Sequence, residues 1–79
     1  AHLINFEQLS TRERMTEILE RMRNETFIEF STLFKIKEGR MGVVVTFLAV
    51  LELLKDSLIE IVQSEDFGPI HIKGIEEVH

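Results

Sequence analysis

Residues 40–73 read RMGVVVTFLAVLELLKDSLIEIVQSEDFGPIHIK. Arg40 to Lys55 carries Leu, Ala, Met and Glu over a length that suits a helix better than a strand. The β-branched run Val43-Val44-Val45 is the local argument against it. Asp56-Ser57 ends the helix. Leu58-Ile59-Glu60-Ile61-Val62-Gln63 then reads as a strand, Ser64-Glu65-Asp66-Phe67-Gly68-Pro69 is rich in turn residues, and Ile70-His71-Ile72-Lys73 alternates as a second strand. Residues 58–73 are therefore predicted to form a β-hairpin. Gly74 closes it and residues 75–79 read as a tail.

Working back from Arg40, Lys37-Glu38-Gly39 reads as a turn. Ser31 is a good cap for a short helix from Thr32 to about Lys35. Thr26-Phe27-Ile28-Glu29-Phe30, β-branched and aromatic, reads as a strand of two or three residues. Further upstream, Ser10-x-x-Glu13 is a capping box: the hydroxyl can accept the Glu13 amide and the carboxylate can reach back. Behind it Met15, Ile18, Leu19 and Met22 fall at i, i+3, i+4 and i+7, one face of a helix over about 11–24. Charged Arg12, Arg14, Glu17, Glu20, Arg21 and Arg23 cover the other faces. Residues 1–9 read as an arm or short strand through Leu3, Ile4 and Phe6. The expected order is helix, short strand, short helix, long helix, hairpin. This is an α+β winged helix-turn-helix, three helices plus a C-terminal β-hairpin wing, over residues 10–74.

Composition agrees with one small globular domain. At 79 residues, 44% hydrophobic and 29% charged, the chain can bury roughly 60–65% of its unfolded surface, enough for one core. One Pro and four Gly argue against disorder. The absence of Cys removes disulfides, thiolate metal sites and cysteine nucleophiles. Fourteen acidic against nine basic side chains give a net charge of −5, the opposite of the balance expected in a protein that grips phosphates. The apolar run Met41–Leu54 falls short of the roughly 20 residues that span a bilayer, so no membrane role is expected.

The long helix is the informative element. On a wheel at about 100° per residue, Val43, Phe47, Val50, Leu51 and Leu54 fill one sector, and Met41, Val44, Val45 and Leu48 the next. Gly42, Thr46, Ala49 and Leu53 take most of the rest, and only Arg40, Glu52 and Lys55 are charged. A helix apolar all round wants cover on every side, and a domain this small has little with which to cover it. Two readings stand: the whole helix is core, or one apolar stripe faces outward and docks on another protein. A base-reading helix would need outward Arg, Lys, Asn, Gln or Ser, which this one lacks. The winged-helix DNA-binding transcriptional regulator is therefore the alternative function rather than the first.

The same residues resemble a known family. Val44-Val45-Thr46-Phe47-Leu48-Ala49-Val50-Leu51-Glu52-Leu53-Leu54-Lys55, then a strand, then Gln63-Ser64-Glu65-Asp66-Phe67-Gly68-Pro69-Ile70, is similar to the C-terminal winged-helix domain of the bacterial kleisin called segregation and condensation protein A. Glu13-Arg14-Met15 through Leu19 and Phe30-x-x-Leu33-Phe34 fit its pattern as well. The likeness covers about residues 12–73. Pro69 departs from it, since an acidic residue is common there.

The resemblance implies a non-enzymatic adaptor that binds the ATPase head of a structural maintenance of chromosomes (SMC) protein in the bacterial condensin complex. It also implies a small dimeric partner, segregation and condensation protein B, on a middle segment that this chain lacks. DNA would be held only indirectly, and the setting would be cytoplasmic and nucleoid-associated. Phe47 and Leu51 match the family's interface on this helix, with Val43, Val44, Leu48 and Leu54 as neighbours that are either contact or core. Phe67, Gly68 and Ile70 of the wing form the second candidate contact.

No other constellation carries chemistry. His2, His71 and His79 lack metal-ligand spacing. Glu13, Glu17 and Glu20 read as a solvated helix face among arginines. Ser10, Ser31, Ser57 and Ser64 fall at caps or turns, which gives a nucleophile no support. No Gly-rich phosphate loop is present, so no cofactor and no catalytic residue is expected. Two small basic clusters, Arg12-Arg14-Arg21-Arg23 and Lys35-Lys37-Arg40, are mostly cancelled by neighbouring acids; the second flanks the long helix and could brush DNA phosphates held by the larger complex.

Overall fold

The computed structural model describes residues 10–75; the expected arm over residues 1–9, and residues 76–79 of the expected tail, lie outside them. Helix α1 runs Thr11–Met22. Its start is capped as the sequence predicts: the Ser10 hydroxyl accepts the Glu13 amide at 3.2 Å, satisfying one of the free N–H groups of the first turn. Strand β1 is Phe27–Glu29. Helix α2 is Gly39–Lys55, and strands β2 and β3 are Ile59–Val62 and His71–Gly74.

The expected α-helix over Thr32–Lys35 is corrected. Two 3₁₀ turns, Phe30–Leu33 and Ile36–Glu38, stand between β1 and α2, with Phe34 and Lys35 extended between them. The segment is too short to offset the cost of nucleating an α-helix. Its polar side chains also bond locally instead of capping: Thr32 Oγ1 donates to the Glu29 carbonyl at 2.7 Å and Ser31 Oγ to the Glu29 carboxylate at 3.0 Å. The described fold is thus α+β with two α-helices and a three-stranded antiparallel sheet.

The hairpin forms as expected, and β1 adds to it. Strand order is β1-β3-β2, with β3 central and both pairings antiparallel. The register sets Ile28 and Ile61 on either side of Ile72. Side chains alternate along a strand, so Ile28, Ile72, Ile59 and Ile61 share the face turned to the helices. Ile28, Ile59 and Ile72 are buried there with Ile18, Leu33, Ala49, Val50 and Leu53. Met15, Leu19, Met22, Phe30, Phe34 and Leu54 pack around this centre. The α1 apolar stripe therefore does what its spacing predicts.

Helix α2 ends in a left-handed cap. Ser57 takes φ +62°; its N–H donates to the Leu54 carbonyl at 3.0 Å, and the Leu58 N–H to the Leu53 carbonyl at 2.9 Å. These two bonds satisfy carbonyls that the last helical turn would otherwise leave free. They also aim the chain from the helix straight into β2.

Candidate functional site

The structure sorts α2 into two faces. Gly42, Val45, Thr46, Ala49, Val50 and Leu53 are buried, at the i, i+3, i+4, i+7, i+8 and i+11 spacing of one helical face. A Cβ on Gly42 would overlap the Cβ of Glu38, so only Gly fits.

Arg14 locks the same junction from α1. It is 5% exposed. Its guanidinium donates to Thr46 Oγ1 at 3.2 Å and to the Glu38 carboxylate at 2.6 Å, and lies 3.4 Å from the Glu17 carboxylate. A buried guanidinium persists only when paired, so this cluster fixes how α2 is rotated about its own axis.

That rotation decides the site. With the small face inward, Met41, Val43, Val44, Phe47, Leu48 and Leu51 all point out. Phe47 is 49% and Leu51 46% exposed. At about 100° per residue the outward set covers an arc of about 160°. Within it the charges are Arg40 in the first turn and Lys55 in the last; Lys55 lies 3.4 Å from the Glu52 carboxylate at the rim. Of the six helix positions predicted as contacts, five (Val43, Val44, Phe47, Leu48 and Leu51) lie on this surface. Leu54 is half-buried and packs against the core.

The wing residues separate. Phe67, in the loop between β2 and β3, is fully exposed and holds φ +62°, a conformation that costs an L-residue about 1–2 kcal/mol. Gly68 is half-buried. Its N–H donates to the Glu65 carbonyl at 2.9 Å, and its own carbonyl accepts the Gln63 side-chain amide at 2.7 Å. These bonds close the loop and hold Phe67 outward. Ile70 is exposed as a side chain while its carbonyl accepts the Phe30 N–H at 2.7 Å, tying the loop's return to the first 3₁₀ turn.

Six further apolar residues belong to the exposed surface and escaped sequence reasoning: Phe27, Ile36, Met41, Leu58, Ile61 and Ile75. Met41 carried a signal, three positions before Val44 on the outward arc. Ile61 shares a sheet face with buried Ile59, so its period-2 pattern pointed inward, yet the helix does not cover it.

Among the described residues no polar grouping suggests chemistry. His71 packs edge-on against Phe27, ring centroids 6.4 Å apart. Among the described residues no cluster of three His, Asp or Glu is placed to hold a metal ion. No described helix is long and apolar enough to cross a membrane. A surface depression of about 710 Å³ is lined by Arg23, Glu25, Glu60 and Lys73 among others. The last two pair at 3.6 Å, as ordinary surface ions do.

The family model described as "Segregation and condensation protein ScpA" matches residues 1–75. The chain is similar to segregation and condensation protein A of Coxiella burnetii, 56% identical over 74 residues, which is 94% of this chain and 28% of that protein. It is 49% identical over 78 residues to the Xylella fastidiosa protein of the same name, 99% of this chain and 26% of that one. Against the Bacillus subtilis protein it is 45% identical over 67 residues, covering 84% of this chain and 26% of that one. The chain thus spans about a quarter of the length of the curated relatives it matches.

Proposed function

Because this chain belongs to the segregation and condensation protein A family, we propose that it is the non-enzymatic module through which such a kleisin binds the ATPase head of an SMC protein, in chromosome condensation and segregation. In this reading the fold is a winged helix whose middle helix is reduced to two 3₁₀ turns. Helix α2 and the β2–β3 wing are the docking elements. The observation that carries it is the outward arc of α2. A chain that can form only one core spends its small residues inward and leaves Val43, Val44, Phe47, Leu48 and Leu51 half in water. Apolar surface so contiguous, on a domain this small, marks a protein interface.

Phe67 supports the same reading. A large aromatic held outward in a left-handed conformation adds nothing to the core and is the kind of local strain found at contact sites. Interface energy is also commonly concentrated in a few exposed aromatic anchors. Ring closure, a partner of the segregation and condensation protein B type on another segment, and an indirect hold on DNA are roles of the whole kleisin. ATP hydrolysis belongs to the SMC head.

The alternative, a DNA-binding regulator, needs base-edge donors along the outward face of α2, where Val, Phe and Leu stand instead. Calorimetric titration of this chain with a purified SMC head from the same organism tests the proposal. The expected result is saturable one-to-one binding with a negative heat-capacity change from apolar burial. Absence of binding by a folded chain to a head competent for ATP would overturn it.

A further inference from the structure

Ahead of α2 stands an apolar side chain that the fold does not use. Ile36 is 98% exposed. It opens the second 3₁₀ turn, Ile36–Glu38, between exposed Lys35 and Lys37. Four and five residues on from Ile36, Arg40 and Met41 begin the outward arc of α2, also exposed. The apolar surface thus continues past the helix end and there acquires positive charge.

The charge is only partly cancelled locally. Glu38 is the carboxylate within this run, and it is turned inward: Arg14 takes it at 2.6 Å, leaving its side chain 17% exposed. Lys35 lies 3.9 Å from the Glu17 carboxylate. Lys37 and Arg40 make no ion pair with any described carboxylate. In a chain of net charge −5 this corner is a local exception. Arg14, by neutralising Glu38 from below, is what keeps it positive.

We infer that Ile36, with Lys37 and Arg40, is a second anchor of the docking surface, and that it meets an apolar socket rimmed by carboxylates on the partner protein. The inference rests on the proposed SMC-head binding. A projecting isoleucine needs an apolar recess, which a phosphate backbone does not offer, and cations either side of it match an acidic rim. The two ends of the α2 arc differ, since Lys55 at the far end stands beside the Glu52 carboxylate while Arg40 and Lys37 have no such neighbour among the described carboxylates, and this difference also fixes which way round the partner sits.

The test compares four forms of the chain in titrations against the SMC head, at low and at physiological salt. Ile36→Ala is expected to weaken binding about tenfold, which is about 1.4 kcal/mol, with an unchanged melting curve since the side chain touches no core. Lys37→Glu with Arg40→Glu is expected to lose at least about tenfold at low salt and to flatten the salt dependence, because screened surface charges act over about 10 Å at 0.1 M. Leu51→Glu serves as the control for the α2 arc. If Leu51→Glu abolishes binding while Ile36→Ala and the double charge reversal leave it unchanged, the second anchor is wrong and the docking of α2 stands. No binding by the unsubstituted chain overturns both. A parallel titration with duplex DNA covers the remaining source of anionic chemistry: if the charge reversal weakens DNA binding and leaves head binding intact, the corner is a phosphate contact and the inference fails.

Discussion

At the scale of single residues, Gly42, Glu38 and Arg14 form one device and are testable as one. In an exposed helix Gly→Ala gains about 1 kcal/mol of propensity. Here the added Cβ would overlap Glu38 Cβ and press on its carboxylate, and overpacking costs about 1–3 kcal/mol. Gly42→Ala is therefore expected to destabilise the chain on balance, read as a lower urea midpoint. In a Glu38→Ala background the Cβ of residue 38 still stands near, but the carboxylate is gone, so the cost should shrink; additive effects would show that the carboxylate takes no part in the clash. Arg14→Ala leaves Glu38 half-buried without its cation, and Glu38 Oε1 already has no hydrogen-bond partner. Breaking a buried pair this way costs about 3–5 kcal/mol, and the 17% exposure of Glu38 places the expected loss at the lower end. Ser57 gives a prediction of opposite sign. Its φ of +62° suits Gly, so Ser57→Gly is expected to raise stability by about 0.5–1 kcal/mol, and an unchanged or lower midpoint would count against the cap described for α2.

At the scale of elements, α2 inverts the usual expectation: its Gly, Thr and Ala face the core and its Phe and several Leu face water. Leu51→Glu should keep the circular-dichroism melting transition and abolish head binding, because Leu51 stands 46% exposed. Leu53, two positions on and wholly buried, should behave oppositely. Leu53→Ala is expected to cost about 2–5 kcal/mol, a large share of the about 4–12 kcal/mol available to a domain of this length. Equal melting losses for both would refute the assigned rotation of the helix. The contrast also shows what was legible in the sequence. Helix α1 was, since Ser10 starts it and its apolar side chains recur on one face against a charged remainder. The hairpin was too, because Asp56-Ser57 and the Ser64–Pro69 run punctuate alternating strands. The rotation of α2 was not, because periodicity orients a helix only when its faces differ, and this one is apolar all round. What orients it is Arg14, a charged residue in the polar part of the α1 pattern that turns inward to Thr46 and Glu38. Burial of a lone Arg has no signature in spacing. The short helix before α2 was misjudged for a related reason: Ser31 and Thr32 have capping chemistry, but they spend it on Glu29.

At the scale of the whole molecule, charge and apolar surface together restrict what the outward face can meet. The acidic excess, net −5, works against every polyanion, and the two cations of the α2 arc stand at its ends rather than along it. Nucleic-acid binding grows from many phosphate contacts, each contributing to a steep salt dependence. A corner with Lys37 and Arg40 as its unpaired cations among described carboxylates could supply two or three such contacts, against repulsion from Glu52, Asp56, Glu60, Glu65 and Asp66 on α2's C-terminal side and the hairpin. The expectation is therefore that this chain gives no retarded band with duplex DNA at physiological salt even at about 100 μM protein, the weak end of the non-specific range of about 10⁻⁴–10⁻⁶ M. Lowering the salt should not rescue it, since weaker screening strengthens the repulsion from the acidic majority as well as the attraction at the corner. Phe47→Glu sharpens the comparison. It adds one more negative charge to the arc, so it should abolish capture by the SMC head and leave the DNA experiment as blank as before. A band for the unsubstituted chain that fades with rising salt and is lost in Phe47→Glu would instead put phosphates against α2, and the adaptor reading would give way to the regulator.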